Sequence, residues 1–172
     1  MPAVLGLRAK TGRAIAVVLS SKGEFLARRE ISLVDPRIAG TAQPYHVVMA
    51  MPWSEATVAV RNLAKAIERV AIKAVRALVR EFDVSAVGIV GAPERALEKI
   101  GNEHIRAHAA EGVLFRHVLE VAAEKNKLRH RAFTEKSLPA NFARQLQELG
   151  RAAGAPWRAE EKMAATAALL QL

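Results

Sequence analysis

The sequence predicts an α/β domain. Its framework is a five-stranded mixed sheet, three antiparallel strands followed by two parallel ones, with helices on both faces. Three observations carry this expectation. Residues 4–33 alternate short aliphatic and β-branched runs with turn residues. Residues 86–92, Ala-Val-Gly-Ile-Val-Gly-Ala, are an apolar run bounded by Pro93, as suits a strand buried on both faces. Apolar residues recurring every three or four positions fill the segments between and after the later strands. The resulting order is β-β-β-α-β-α-β-α-α. With 172 residues, 51% of them hydrophobic, the chain suffices for one packed domain, residues 1–172, and is short for two.

Within the meander, Gly12 and Ser20-Ser21-Lys22-Gly23 supply the turns, since glycine accepts the positive φ that tight turns need. The strands 4–13, 14–20 and 24–33 offer Ile15, Val17, Val18, Leu19, Phe25, Leu26 and Ile31 for packing, and the first strand is expected in the middle of the sheet. Residues 34–52, with Pro36, Gly40, Pro44 and Pro52, read as a long connection, because proline fixes φ and removes a donor. Its Tyr45-His46-Val47-Val48-Met49 stretch is too apolar to stand in water, so the connection caps an edge or serves a function.

Ser54 is the expected N-cap of a helix reaching about residue 81, with Glu55 in its first turn. Leu63, Ile67, Val70, Ala74 and Leu78 share one face of it. After strand 86–92, a helical pattern starts at Glu94, breaks at Gly101-Asn102 and continues to about residue 126. Leu128, His130 and Ala132 alternate with Arg129, Arg131 and Phe133, which predicts a strand over 128–134. Ser137-Leu138-Pro139 opens another helix, with Phe142, Leu146 and Leu149 on one side and Gly150 as its stop. Residues 151–156 read as a small-residue linker, and an Ala-rich helix runs from Trp157 to the end. Trp53 and Trp157, both at helix starts, read as packing anchors.

Composition narrows the chemistry. There is no cysteine, which excludes disulfides, thiolate metal sites and a thiol nucleophile. With no secretory pattern at the N-terminus and no 18-residue apolar run, the expectation is a soluble, cytoplasmic protein without a membrane partner. The net charge of +9 and the pI near 10.5 favour a polyanionic partner, of which nucleic acid is the commonest. Arg61, Lys65, Arg69, Lys73, Arg76 and Arg80 recur every three or four residues, within an arc of roughly 120°. Like charges at that spacing repel by a few tenths of a kcal/mol per pair. The row is therefore either a solvated face partly balanced by Glu68 or a phosphate-binding surface. No P-loop, G-x-G-x-x-G or G-x-S-x-G pattern is present, and Gly88 and Gly91 read as points of close helix approach.

Three stretches resemble a known family. Leu5-Gly6-Leu7-Arg8 followed by Gly12-Arg13-Ala14-Ile15-Ala16-Val17-Val18, then Val87-Gly88-Ile89-Val90, then Lys162-Met163-Ala164-Ala165-Thr166-Ala167-Ala168-Leu169-Leu170, are similar to the ribonuclease H-like superfamily. The closest branch is the RuvC and YqgF group of Holliday-junction resolvases. The resemblance implies a ribonuclease H-like fold and two-metal phosphodiester hydrolysis. It places a Mg²⁺-binding aspartate at position 8, a glutamate near position 90, and aspartates near 163 and 166. Mg²⁺ takes oxygen ligands, and several converging acids are needed to hold two ions. This chain has Arg8, Val90, Met163 and Thr166 there, and a guanidinium repels divalent cations. Glu160 and Glu161 lie about one turn earlier and could replace only one ligand. The expectation is a pseudo-nuclease without cofactor. It would bind nucleic acid through Arg8, Lys10 and Arg13 at the former active-site end and through the Arg61–Arg80 row as a second surface.

A second constellation points elsewhere. His104, His108 and Glu111 fall at i, i+4 and i+7 on one helical face, and such residues ligate transition metals. That face continues as Phe115, Val118, Leu119 and Ala122, so the three are expected to point toward the core, away from Arg106, His117, Glu120 and Glu124. They form either a hydrogen-bonded pocket or the divalent-metal site of a hydrolase or nuclease, with Tyr45 and His46 able to supply a further donor. The remaining alternative is a structural protein that dimerises through its Ala-rich last helix.

Overall fold

A computed structural model describes residues 2–172. Strand β1 (Ala3–Lys10) pairs antiparallel with β2 (Arg13–Leu19), and β2 with β3 (Phe25–Ser32). On the other side of β1 lie β4 (Val84–Gly91) and then β5 (Arg129–Thr134), both parallel to it, so the order is β3-β2-β1-β4-β5. The first strand is central, as the meander and the buried run at 86–92 predict. Gly12 and Gly23 make their turns at φ 75° and 80°. The outer strands carry charge, Arg28, Arg29 and Glu30 on β3 and Arg129 and Arg131 on β5.

The helices are α1 (Pro44–Val47), α2 (Trp53–Ala59), α3 (Arg61–Phe82), α4 (Glu103–Lys125), α5 (Ala143–Ala153) and α6 (Ala159–Leu169). None is long and apolar enough to cross a membrane. On one face of the sheet, α3 and α4 bring Ile67, Val75, Phe115 and Leu119 against Leu5, Leu7 and Ile89. On the other, α5 and α6 bring Leu149, Ala164, Ala165 and Ala168 against Val4, Val17, Leu19 and Ala86. Strand side chains alternate between faces, so Gly6 and Arg8 share the α6 side, as do Gly88 and Val90. Helix α6 lies flush on the sheet because Gly6 and Gly88 have no Cβ. One built on Gly6 would stand 1.7 Å from the Ala164 carbonyl oxygen, and one on Gly88 2.3 Å from that of Ala167.

Some elements differ from expectation. The helix expected from Ser54 starts at Trp53, because the Pro52 carbonyl accepts from the Glu55 and Ala56 N–H groups, and it breaks at Val60. The buried line of α3 is Ala66, Ile67, Ala71, Val75 and Leu78, turned toward small residues that the reading of large side chains passed over. Residues 94–102 form only a short 3₁₀ turn (Leu97–Lys99), and α4 begins behind Asn102, whose side chain accepts from Ile105 N–H at 2.9 Å. Ser137 opens no long helix. Its hydroxyl is engaged backward with Thr134 N–H and C=O, both at 2.9 Å, in a 3₁₀ turn (Glu135–Ser137). Gly150 does not stop α5. A Cβ there would meet the Trp157 ring at 2.6 Å, so this glycine serves packing, and the helix ends at Gly154, φ 69°. The Ala-rich last helix is not a free dimer face either, since Ala164, Ala165, Ala167 and Ala168 are buried against the sheet.

Candidate functional site

The carboxyl ends of β1, β4 and β5 open into a cavity of about 610 Å³, lined by Arg8, Lys10, Thr11, Gly112, Glu135 and Lys136 among others. In the parallel register Arg8 stands beside Val90. Val90 packs with Phe133, Ala167 and Met163, and Thr166 on α6 is buried with its hydroxyl donating to the Lys162 carbonyl at 2.8 Å. Arg8, Val90 and Met163, three of the positions at which the resemblance places acids, thus lie at the β1–β4–α6 junction and hold a guanidinium and two apolar side chains, while Thr166, the fourth, has its hydroxyl satisfied within its own helix. Neither nearby acid stands in. Glu160 accepts from Lys10 Nζ at 3.2 Å, and Glu161 is buried, accepting from Arg158 N–H at 2.9 Å as the cap of its own helix. A hydrogen bond from its own backbone N–H, then Lys10, hold the Glu160 carboxyl below the usual carboxylate range. These residues do not fit a pair of magnesium ions.

The Arg8 guanidinium lies 3.5 Å from Glu135 Oε2, while its buried Nε has no partner among the described residues. Glu135 and Lys136 were not foreseen at the site, because nothing in their local sequence marks the turn after β5 as facing β1. Each expected cation at this end is matched by an acid, Arg8 by Glu135, Lys10 by Glu160 and Arg13 by Glu30 at 2.7 Å. The α3 row is different. Arg61, Lys65, Arg69, Lys73, Arg76 and Arg80 are all exposed, and among the described residues none pairs with a carboxylate. Arg76 donates to Asn126 Oδ1 at 3.3 Å. Glu68, the expected counter-charge, pairs with none of the six, and Glu81 is taken by Arg29 at 3.1 Å.

On the side of the sheet covered by α4, His104 and His108 occupy its first two turns and are exposed, not turned into the core as expected. Their Nε2 atoms are 3.0 Å apart. Glu111, one turn on, is fully buried, and it engages the long connection instead of the two imidazoles. Its Oε1 accepts from Tyr45 N–H and His46 N–H, each at 3.2 Å, and lies 2.8 Å from His46 Nδ1. His46 is thereby set beside the pair, its ring centroid 5.1 Å from that of His104 and 4.5 Å from that of His108. Of the two residues of the connection considered as further donors, His46 is the one whose ring lies against the pair. Tyr45 stacks on Trp53, and burial, then the Glu111 charge, push its phenol up.

No protein-family model matches this sequence, and no curated protein matches it. Solved structures do. The chain is similar to T. thermophilus RuvC in complex with Holliday junction substrate, at 12% identity and a TM-score of 0.57, over 98% of this chain and 91% of that one. It is also similar to a Thermus thermophilus RuvC structure, at 12% identity and a TM-score of 0.55, over 97% and 91%. The likeness is one of fold, and the chain has the ribonuclease H-like fold in its RuvC form, as the three sequence stretches imply.

Proposed function

We propose that this protein is a RuvC-like domain that holds nucleic acid on a basic surface without cutting it by the two-metal route. The observation that carries the binding is the α3 row. Its cations, Arg61 to Arg80, follow one exposed ridge for roughly 28 Å at the helical rise of 1.5 Å per residue, with no acid paired to them among the described residues. Such a row costs the free protein some repulsion, and lined-up phosphates remove it. The sheet-end cations are a weaker surface, because Glu135, Glu160 and Glu30 already neutralise them. The silence of the nuclease site follows from Arg8, Val90 and Met163 at the β1–β4–α6 junction, with no carboxylate at the fourth expected position, Thr166. The likeness to a RuvC whose structure holds a Holliday junction makes a DNA junction the first ligand to try.

The test is titration of labelled single strand, duplex and four-way junction at several salt concentrations. If all six side chains meet phosphates, log K falls against log salt with a slope of about −5 on duplex. Arg69→Gln with Lys73→Gln then reduces that slope by about 2 and weakens all sequences alike. No binding at about 50 mM salt overturns the reading. So does Mg²⁺-dependent cleavage of the junction that Arg8→Ala leaves unchanged.

A further inference from the structure

We propose that His46, His104 and His108 form a site for a divalent transition-metal ion of the zinc class, with the buried Glu111 carboxylate behind it. Three ring nitrogens, one from each histidine, lie within 4.8 Å of one another. They come from two separate segments, the i,i+4 pair at the start of α4 and the single residue on α1. Two nitrogens bound to a tetrahedral zinc at 2.0–2.1 Å stand about 3.3–3.4 Å apart. The Nε2 atoms of His104 and His108 are 3.0 Å apart, a few tenths of an ångström from that geometry.

The surroundings of His46 support the same assignment. A carboxylate only accepts, so the 2.8 Å contact between Glu111 Oε1 and His46 Nδ1 places the proton on Nδ1 and leaves Nε2 with its lone pair for an ion. A carboxylate behind a ligating imidazole is the usual way of fixing its tautomer and ring orientation. Glu111 is fully buried, and its Oε2 has no partner among the described residues. A buried anion with an unsatisfied oxygen is costly, and a dication at the adjoining imidazoles offsets its charge.

Ligand type selects the ion. Imidazoles suit Zn²⁺, Co²⁺, Ni²⁺ and Cu²⁺, whereas Mg²⁺ and Ca²⁺ require oxygen ligands. With His104 and His108 exposed, the ion reaches the site from solvent and keeps an open fourth position. A loaded site fastens the connection at residues 34–52 to α4, next to the Tyr45–Trp53 stack and the Arg106 guanidinium that lies 5.4 Å from the Trp53 ring. The assignment is independent of the nucleic-acid reading.

The test uses the full chain without a histidine tag, titrated with Zn²⁺ against a chromogenic chelator and with Co²⁺ by visible absorption. One ion per chain is expected, with the intense Co²⁺ bands of a tetrahedral site. His104→Ala and His108→Ala, at exposed positions, should each weaken binding by at least about 100-fold. Glu111→Gln should weaken it by about 10- to 100-fold, as expected for a residue that positions a ligand. His117→Ala and His130→Ala should change nothing. Absence of stoichiometric Zn²⁺ or Co²⁺ binding overturns the proposal, and the three rings are then a hydrogen-bonded cluster. Binding that survives both His104→Ala and His108→Ala overturns it as well.

Discussion

Replacing Gly6 by alanine tests how α6 is seated, and with it the junction that holds Arg8. The added methyl group would lie 1.7 Å from Ala164 O, 2.7 Å from Ala164 C and 2.9 Å from Ala168 N, all backbone atoms that no rotamer change can move. Restoring ordinary contact at 3.4 Å requires the helix to withdraw by about 1.7 Å. A gap of even 0.5–1 Å forfeits about a quarter to a half of a contact's dispersion energy. The lift separates Ala164, Ala165 and Ala168 from Val4, Val17 and Leu19 together. Overpacking typically costs about 1–3 kcal/mol, and a clash with rigid backbone belongs at or above the top of that range. At about 2–4 °C per kcal/mol for a chain of this size, Tm should fall by about 6–12 °C. The control is Gly101→Ala, where nothing lies within 4 Å and φ is not positive, so its Tm should match or slightly exceed wild type. Thermal unfolding followed by circular dichroism measures both. A Gly6→Ala protein melting within about 2 °C of wild type would refute the flush seating of α6.

Arg8 pairs with a mostly exposed Glu135 and leaves its Nε unsatisfied, so Arg8→Met should not lower Tm. A drop of more than about 4 °C would mean that the guanidinium supports the fold. Glu111→Leu strands three donors, Tyr45 N–H, His46 N–H and His46 Nδ1–H. It should cost about 3 kcal/mol by urea denaturation, and an unchanged midpoint would sink that account. Glu160 is held below its ordinary range in the folded protein. Its contribution is therefore complete above the unfolded carboxylate's pKa and lost as pH falls through the lowered folded value. The stability gap between wild type and Glu160→Gln should accordingly narrow as pH falls below the ordinary glutamate value of about 4.3, and a gap that stays constant would contradict it.

Much of this architecture was legible because it rests on local signals. Turn glycines at 12 and 23 delimit the meander, the apolar run near 86–92 marks an interior strand, and Gly88 and Gly91 mark where helices lie close. Arg8 stood out through the resemblance, as a guanidinium at a position where an acid is expected. What could not be read depends on partners distant in the chain. Gly150 looks like a helix stop until Trp157 is packed on it, and Ser137 looks like a cap until its hydroxyl turns back to Thr134. The spacing of His104, His108 and Glu111 correctly put them on one helix, but periodicity cannot say which of them meets the connection. The buried Glu111 does so, and it brings His46 to the other two.

The charged borders of the sheet bear on how copies of this molecule can meet. A strand from another copy laid along β3 would run beside Arg28, Arg29 and Glu30, and one along β5 beside Arg129 and Arg131. Cationic borders of this kind discourage the edge-to-edge growth that ends in fibres. Self-association of this protein, where it occurs, should therefore proceed through helices and leave its strand count at five.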